Sequence, residues 1–311
     1  MKFAHLTDIH LPIPSKPSMG SLMNKRLLGY LSWTRKRRHR HKIEAANALA
    51  DDIAGQNCGA VLISGDLVNI ALPAEYRAAR KWVDEKLSDI PVVFTPGNHD
   101  TYVATDWDKT LGLFANEMRG DHGDGDARPT SGAKDFPYVA SIGDDVAVIA
   151  VNSSPPTAPG LASGSLGQEQ LSRLEKMLLP MESDKFRVLM LHHPITDGVV
   201  SIRKGLNDAK ELRSLIAKYG VDLVLHGHAH VPHENFIDTP SGPAPVIGGA
   251  SASHVHGHGK ISPARCNYFS IARAAAGWTI TMEIRQWNNE TGLVETIETK
   301  TYERPLRENA A

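Results

Sequence analysis

The chain is poor in cysteine. Only Cys58 and Cys266 occur in 311 residues, far apart and in no metal-ligand spacing. They can build neither a disulfide framework nor a thiolate metal site, and this usage points to a reducing compartment. No run approaches the ~18 consecutive apolar residues of a membrane span. The first apolar residues run straight into Thr7-Asp8 with no apolar h-region, so no signal peptide is read and a cytoplasmic location is expected. Internal repeats are absent. Acid is missing locally: residues 9–43 carry nine Lys/Arg and no Asp/Glu, although the net charge is only -1. That leaves 25 of the 34 basic residues to set against all 35 acidic ones elsewhere. One short segment therefore carries a positive field that the body does not, which argues against a nucleic-acid-binding surface spread over the chain.

What is present is ordinary globular material, 41% apolar and 22% charged, enough for a large core. Short apolar runs at 3–6, 60–64, 91–95, 187–191 and 221–225 read as strands buried on both faces. Between them lie helix-like segments at 43–53, 73–87, 168–179 and 208–219, the second with Pro near its start and the last stopped by Gly220. Later runs at 146–151, 244–247, 268–271 and 278–284 suggest a second sheet. We expect one α/β domain over 1–311, two stacked sheets with helices outside, and C-terminal strands and tail from about 278. The Gly/Asp-rich stretch 121–134 reads as a surface loop.

Each of the first five strands ends in polar chemistry: Thr7-Asp8-Ile9-His10, Gly65-Asp66, Gly97-Asn98-His99-Asp100, His192-His193-Pro194 and Gly227-His228-Ala229-His230. An Asp-x-His pair alone is weak, although two residues apart on an extended chain share a face. Gly-Asn-His-Asp and Gly-His-Ala-His are sharper, because such residues make poor core. Carboxylates, imidazoles and one amide form a mixed O/N ligand set, suited to Mn, Fe or Zn. A carboxylate bridging two cations roughly 3.5–4 Å apart permits hydrolysis of a phosphoester.

These five blocks, in this order, resemble the calcineurin-like metallophosphoesterase superfamily over roughly residues 1–275. The resemblance implies a four-layer α/β/β/α sandwich of two mixed sheets flanked by helices. It implies one metal held by Asp8, His10, Asp66 and His230, and a second held by Asp66, Asn98, His192 and His228, with manganese the expected pair. His192 is favoured over His193 as ligand, because the family places it two residues before the proline. The resemblance gives His99 the phosphate and the leaving oxygen, with Asp100 placed to orient it. Gly65-Asp66-Leu67-Val68-Asn69 and the run at 91–100 look like the bacterial phosphodiesterase branch.

The segment at about 11–43 departs from that pattern and should lie beside the site. It mixes Leu22, Met23, Leu27, Leu28, Tyr30, Leu31 and Trp33 with a cationic run from Arg35 to Lys42. Three readings stand: a packed cap, a surface that docks on anionic lipid through residues such as Lys25, Arg26, Tyr30, Trp33 and Arg35 with His193 nearby, or a nucleic-acid or import signal. Residues 25–33, with 164–168 and 249–253, are similar to bacterial metallophosphoesterase-type phospholipases C. That similarity implies removal of a phosphorylated headgroup to leave diacylglycerol, by a cytosolic enzyme peripheral to the inner membrane face. A cyclic-nucleotide phosphodiesterase, a glycerophosphodiesterase and a non-catalytic scaffold are the alternatives. His254, His256 and His258 could reach the site mouth or form a solvated loop.

Overall fold

The computed structural model describes residues 1–121, 132–181, 184–257 and 259–307. His258 and all but the ends of the 121–134 loop lie outside the described residues. Twelve strands are described: β1 (Lys2–Leu6), β2 (Ala60–Ile63), β3 (Val92–Phe94), β4 (Tyr138–Ile142), β5 (Val146–Ala150), β6 (Phe186–Met190), β7 (Leu223–His226), β8 (His233–Ile237), β9 (Ala244–Gly248), β10 (Arg265–Ala274), β11 (Gly277–Trp287) and β12 (Val294–Pro305). They form two six-stranded mixed sheets, ordered β12-β11-β10-β1-β2-β3 and β4-β5-β6-β7-β9-β8.

The aliphatic runs are continuous because their two faces meet different layers. In β5, Val146, Val148 and Ala150 face the core between the sheets, whereas Ile149, and Val151 just after the strand, face helices. In β6, Phe186, Val188 and Met190 point inward, and Leu189, with Leu191 just after the strand, outward. Their helical cover is α5 (Gly167–Leu178) and α6 (Ala209–Tyr219), through Leu171, Leu174, Leu212 and Ile216. On the first sheet α3 (Ile43–Ala54) and α4 (Pro73–Lys86) play the same part, through Leu49, Ile53, Tyr76 and Val83. Helix, sheet, sheet, helix is the four-layer sandwich expected.

The assignment of the later runs to a second sheet needs correction. β10 and β11 belong to the first sheet, β10 pairing antiparallel with β1 from Lys2↔Ser270 to His5↔Asn267. It is β6 and β7 that join β5 and β9 in the second sheet. The parallel strands β1, β2 and β3 end at one edge of the first sheet, and β6 and β7 end at the matching edge of the second. All five polar clusters therefore meet along one line.

The 11–43 segment is helical in its second half: α1 (Arg26–Ser32), a π-helical stretch Trp33–Arg37, then α2 (Arg38–Arg40). Ile13 and Leu22 are buried against Ile70 and Leu72, with Tyr30, Trp33 and Tyr102 packed beside them. Gly29 permits this contact, since a Cβ there would lie 2.6 Å from Ile70 Cγ2 and 2.8 Å from the Tyr102 hydroxyl.

Candidate active site

Five site residues have left-handed backbones: Asp8 (φ 52°), His10 (45°), Asp66 (60°), His228 (69°) and His230 (56°). Non-glycine residues rarely adopt this conformation, and it costs of order 1–3 kcal/mol each where the surroundings hold it. The spacing argument for Asp8 and His10 therefore needs revision. They do not share the face of an extended strand; the chain has left β1, and two left-handed residues turn both side chains inward. Cross-links between loops hold these turns. Asp8 N–H donates to the Gly65 carbonyl at 3.0 Å and His10 N–H to the Asp66 carbonyl at 2.9 Å. The Asp8 Oδ2 accepts from the Thr7 hydroxyl and from His228 N–H, both at 2.9 Å. Gly227 is required at this crossing, because a Cβ would run into Thr7 Oγ1 and lie 2.6 Å from Asp8 Oδ2.

The seven residues expected to hold metal fall into two groups that share Asp66. In the first, His230 Nε2 lies 3.0 Å from Asp8 Oδ1, His10 Nε2 lies 3.2 Å from His230 Nε2, and His10 Nε2 lies 3.7 Å from Asp66 Oδ2. In the second, His192 Nε2 lies 3.4 Å from the same Asp66 Oδ2 and 3.2 Å from both Asn98 Oδ1 and His228 Nδ1. The other oxygen, Asp66 Oδ1, accepts His99 N–H at 2.7 Å, so Oδ2 is left facing both groups.

A profile of the calcineurin-like phosphoesterase family matches residues 1–232. The chain belongs to that family. It is 27% identical over 236 residues, 74% of this chain and 73% of its relative, to a probable cyclic nucleotide phosphodiesterase of Synechococcus sp.. The fold is similar to that of a purple acid phosphatase from yellow lupin (Lupinus luteus) seeds, with a TM-score of 0.59 at 12% identity. The match covers 98% of this chain but only 54% of the lupin chain.

This phosphoesterase is a metal-dependent hydrolase of a family that uses a dinuclear divalent centre, and its donors fit one. Asp8, His10, Asp66 and His230 each offer an atom, all within 4.8 Å of one another. The buried His228 Nε2 has no hydrogen-bond partner among the described residues, a costly state for a group with no further function. His10 Nδ1 donates to the Val68 carbonyl at 3.2 Å and His192 Nδ1 to the Ser64 carbonyl at 2.8 Å. Both bonds turn Nε2 lone pairs toward the centre, as metal-ligating imidazoles require. The buried charges lean on one another. Burial pulls His192 down, but the Asp66 carboxylate outweighs it and lifts His192 to about 9. Burial pushes Asp8 up, but His230 outweighs it and holds the carboxyl well below its usual range.

His99 sits between the groups and the cavity, its Nδ1 donating to the Asn69 carbonyl at 2.6 Å. Burial, then the Arg37 charge, lower it to about 3. The orienting role expected of Asp100 is corrected by this geometry. Its buried carboxylate accepts N–H bonds from Asp66 (2.7 Å), Val68 (3.1 Å) and Gly97 (2.8 Å). It ties the 66–68 and 97–100 loops together, while a backbone carbonyl orients His99.

His193 is no surface residue. It is fully buried, Nδ1 at 2.9 Å from the Ser153 hydroxyl and Nε2 donating to the Ala162 carbonyl at 3.1 Å, with its ring 4.4 Å from that of His228. Arg26 is a tether, donating to the Ile70 carbonyl at 3.0 Å and the Ala71 carbonyl at 2.6 Å. Tyr30 and Trp33 stack on each other at 5.9 Å and pack on the body. Lys25 donates to Thr157 Oγ1 at 2.8 Å and lies over the Tyr102 ring, whereas Arg35 is exposed.

Two site residues went unread in the sequence. His41 is buried at the end of the basic run, Nδ1 2.9 Å from the Ser253 hydroxyl, its ring 4.7 Å from His10 and 5.3 Å from His254. Arg37 lies against His99. His41 has a weak signal, a histidine one residue before the N-cap of α3; Arg37 has none within its cationic block. His254 is buried beside His41, and His256 is exposed. A cavity of about 610 Å³ opens over the site, lined by Asp66, Asn98, His99, His228 and His230 with Lys25, Arg37, Tyr102, Arg203 and Lys204.

Proposed function

We propose that this phosphoesterase is a two-metal phosphodiester hydrolase of phospholipase C type, one domain over 1–311 that works at an anionic bilayer on the cytoplasmic side. One cation would be held by Asp8, His10, Asp66 and His230, the other by Asp66, Asn98, His192 and His228. Manganese is the expected pair, and iron or zinc suits the same donors. When bound, such a pair acidifies water and neutralises charge on the phosphoryl oxygens. Asp66, whose Oδ2 faces both groups, would contribute to holding both cations. Water would add its hydroxyl to phosphorus, the phosphorus–oxygen bond to the glycerol C3 oxygen would break, and the proton released by the water would pass by way of His99 Nε2 to that oxygen. The products are diacylglycerol and the phosphorylated headgroup.

The observation that supports a lipid is the exposed apolar residues on the segments that line the cavity. Met19 (78% exposed), Met23 (85%), Leu27 (43%) and Leu28 (57%) stand out from the segment that lines one side, and Ile202 (94%) stands beside the cavity-lining Arg203 on the other. Exposed apolar residues on two segments that each help to line the cavity favour an apolar partner at this face. Full burial of a wholly exposed side chain of this kind gains about 1.5–3 kcal/mol, and the half-buried Leu27 and Leu28 would gain correspondingly less. The exposed Arg35, Lys36, Arg38 and Arg40 follow directly, each attracted by ~1 kcal/mol to an anionic surface. No helix among the described residues is long and apolar enough to cross a membrane, so contact would be peripheral. A second reading, cyclic-nucleotide hydrolysis, is favoured by the description of the Synechococcus relative. Vesicles containing anionic and zwitterionic phospholipid, assayed in parallel with cyclic AMP, separate the two. The lipid reading expects diacylglycerol release, and turnover confined to cyclic AMP would end it.

A further inference from the structure

The 11–43 segment does more than border the cavity: its π-helical stretch Trp33–Arg37 delivers a cation onto the catalytic histidine. Arg37 Nη1 lies 2.9 Å from His99 Nδ1 and 3.1 Å from His99 Nε2. Because Nδ1 already donates its proton to the Asn69 carbonyl, only Nε2 has a lone pair to accept the guanidinium N–H. Among the described residues the one other polar contact of the Arg37 side chain is a weak one, Nη2 to the Gly29 carbonyl at 3.4 Å. Among the described residues no carboxylate lies at ion-pair distance from it. A guanidinium has five N–H donors in a fork that matches phosphate. Here most of them are unspent, in a cavity whose function is to receive a phosphodiester. A largely sequestered charge without a counter-ion is costly, and the substrate can supply the missing anion.

We propose that Arg37 binds a non-bridging oxygen of the substrate phosphate. In the free enzyme it rests on His99 Nε2. The arriving phosphate takes over its N–H donors, which releases His99 Nε2 from the guanidinium. Of the cations lining the cavity, Lys25 is committed to Thr157 and Leu161, and the described contacts give Arg37 alone a bond to His99. The inference rests on the two-metal reading of the site and not on the choice of lipid as substrate.

The test uses Arg37→Met, which keeps the stem, and Arg37→Lys, with inorganic phosphate as the probe. Calorimetry gives phosphate affinity for the metal-reconstituted protein, elemental analysis gives metal content, and bis(p-nitrophenyl) phosphate gives kcat and KM. Arg37→Met should keep both metals and bind phosphate about 10- to 100-fold more weakly, with Arg37→Lys in between. Phosphate affinity within twofold of wild type, or loss of metal from both variants, would overturn the inference. A wild-type protein that takes up no metal would overturn the two-metal reading, and this inference with it.

Discussion

Glu75 ties the start of a helix to the active site, and its removal should be felt at both ends. It lies at the third position of α4, after Leu72-Pro73, and is buried. Its carboxylate accepts N–H bonds from Asn69 (2.7 Å), Ile70 (3.2 Å) and Leu72 (3.0 Å). The same Asn69 offers its carbonyl to His99. Hydrogen bonds to a charged group contribute about 1.5–3 kcal/mol each, so three give roughly 5–9 kcal/mol gross. Burial raises the pKa of Glu75 against the pull of those bonds, so desolvation offsets part of this sum. Glu75→Ala would also leave three N–H groups to find water or go unpaired. We expect a net loss of about 2–4 kcal/mol, a large share of a typical stability of about 5–15 kcal/mol. Glu75→Gln, which keeps an acceptor but turns an NH₂ toward donors, should lose about half as much. Urea denaturation should show a lower midpoint at unchanged slope. Turnover should fall with metal content intact, because the anchor of His99 loosens. An unchanged midpoint in Glu75→Ala, or normal turnover in a destabilised protein, would refute this chain of contacts.

Gly227→Ala places a methyl against Thr7 Oγ1 and Asp8 Oδ2, both buried and unable to retreat. Overpacking of about 1–3 kcal/mol and weaker metal uptake are expected, and an unchanged melting temperature with full metal content would contradict it. His99→Ala should lower turnover about 10²- to 10⁴-fold while both metals stay, as measured by steady-state kinetics beside elemental analysis. Turnover on anionic vesicles should fall as salt shortens the Debye length from about 10 Å at 0.1 M to about 3 Å at 1 M. Bis(p-nitrophenyl) phosphate turnover should respond less, and equal salt sensitivity would count against bilayer docking.

The parts of the fold that were legible in the sequence are those whose residues face the core on both sides. The aliphatic runs of β1, β2, β5, β6 and β7 had no polar alternation to confuse them, and the helices of the sandwich began and ended where Pro73 and Gly220 said they should. The strands that escaped notice, β4 and β8, lie at sheet edges, and so does β12, which was expected only within the C-terminal strands and tail. β12 carries Glu295, Glu298, Lys300 and Glu303 and is largely exposed; such charges guard an edge against pairing with another chain and erase the apolar signal. Sheet membership was misjudged because β10 returns across the whole chain to pair with β1, a long-range pairing that no local pattern encodes. At the site, residue types at strand ends were enough to gather the expected ligands. The left-handed turns that aim them, and the backbone carbonyl that replaces Asp100 as the partner of His99, depend on loop geometry. Arg37 and His41 stayed hidden because a basic block reads as solvated. The i→i+5 bonds of the Trp33–Arg37 stretch also break the 3.6-residue period from which a facing could be inferred.

The most direct test of the two-metal site is hydrolysis of bis(p-nitrophenyl) phosphate by metal-free and manganese-reconstituted protein, wild type beside Asp66→Ala and Asn98→Ala, with metal counted in each sample. The account predicts two ions per wild-type chain, turnover only in the reconstituted protein, an empty or nearly empty Asp66→Ala, and loss of turnover in both variants. Turnover by metal-free wild type, or two ions retained in Asp66→Ala, would contradict it.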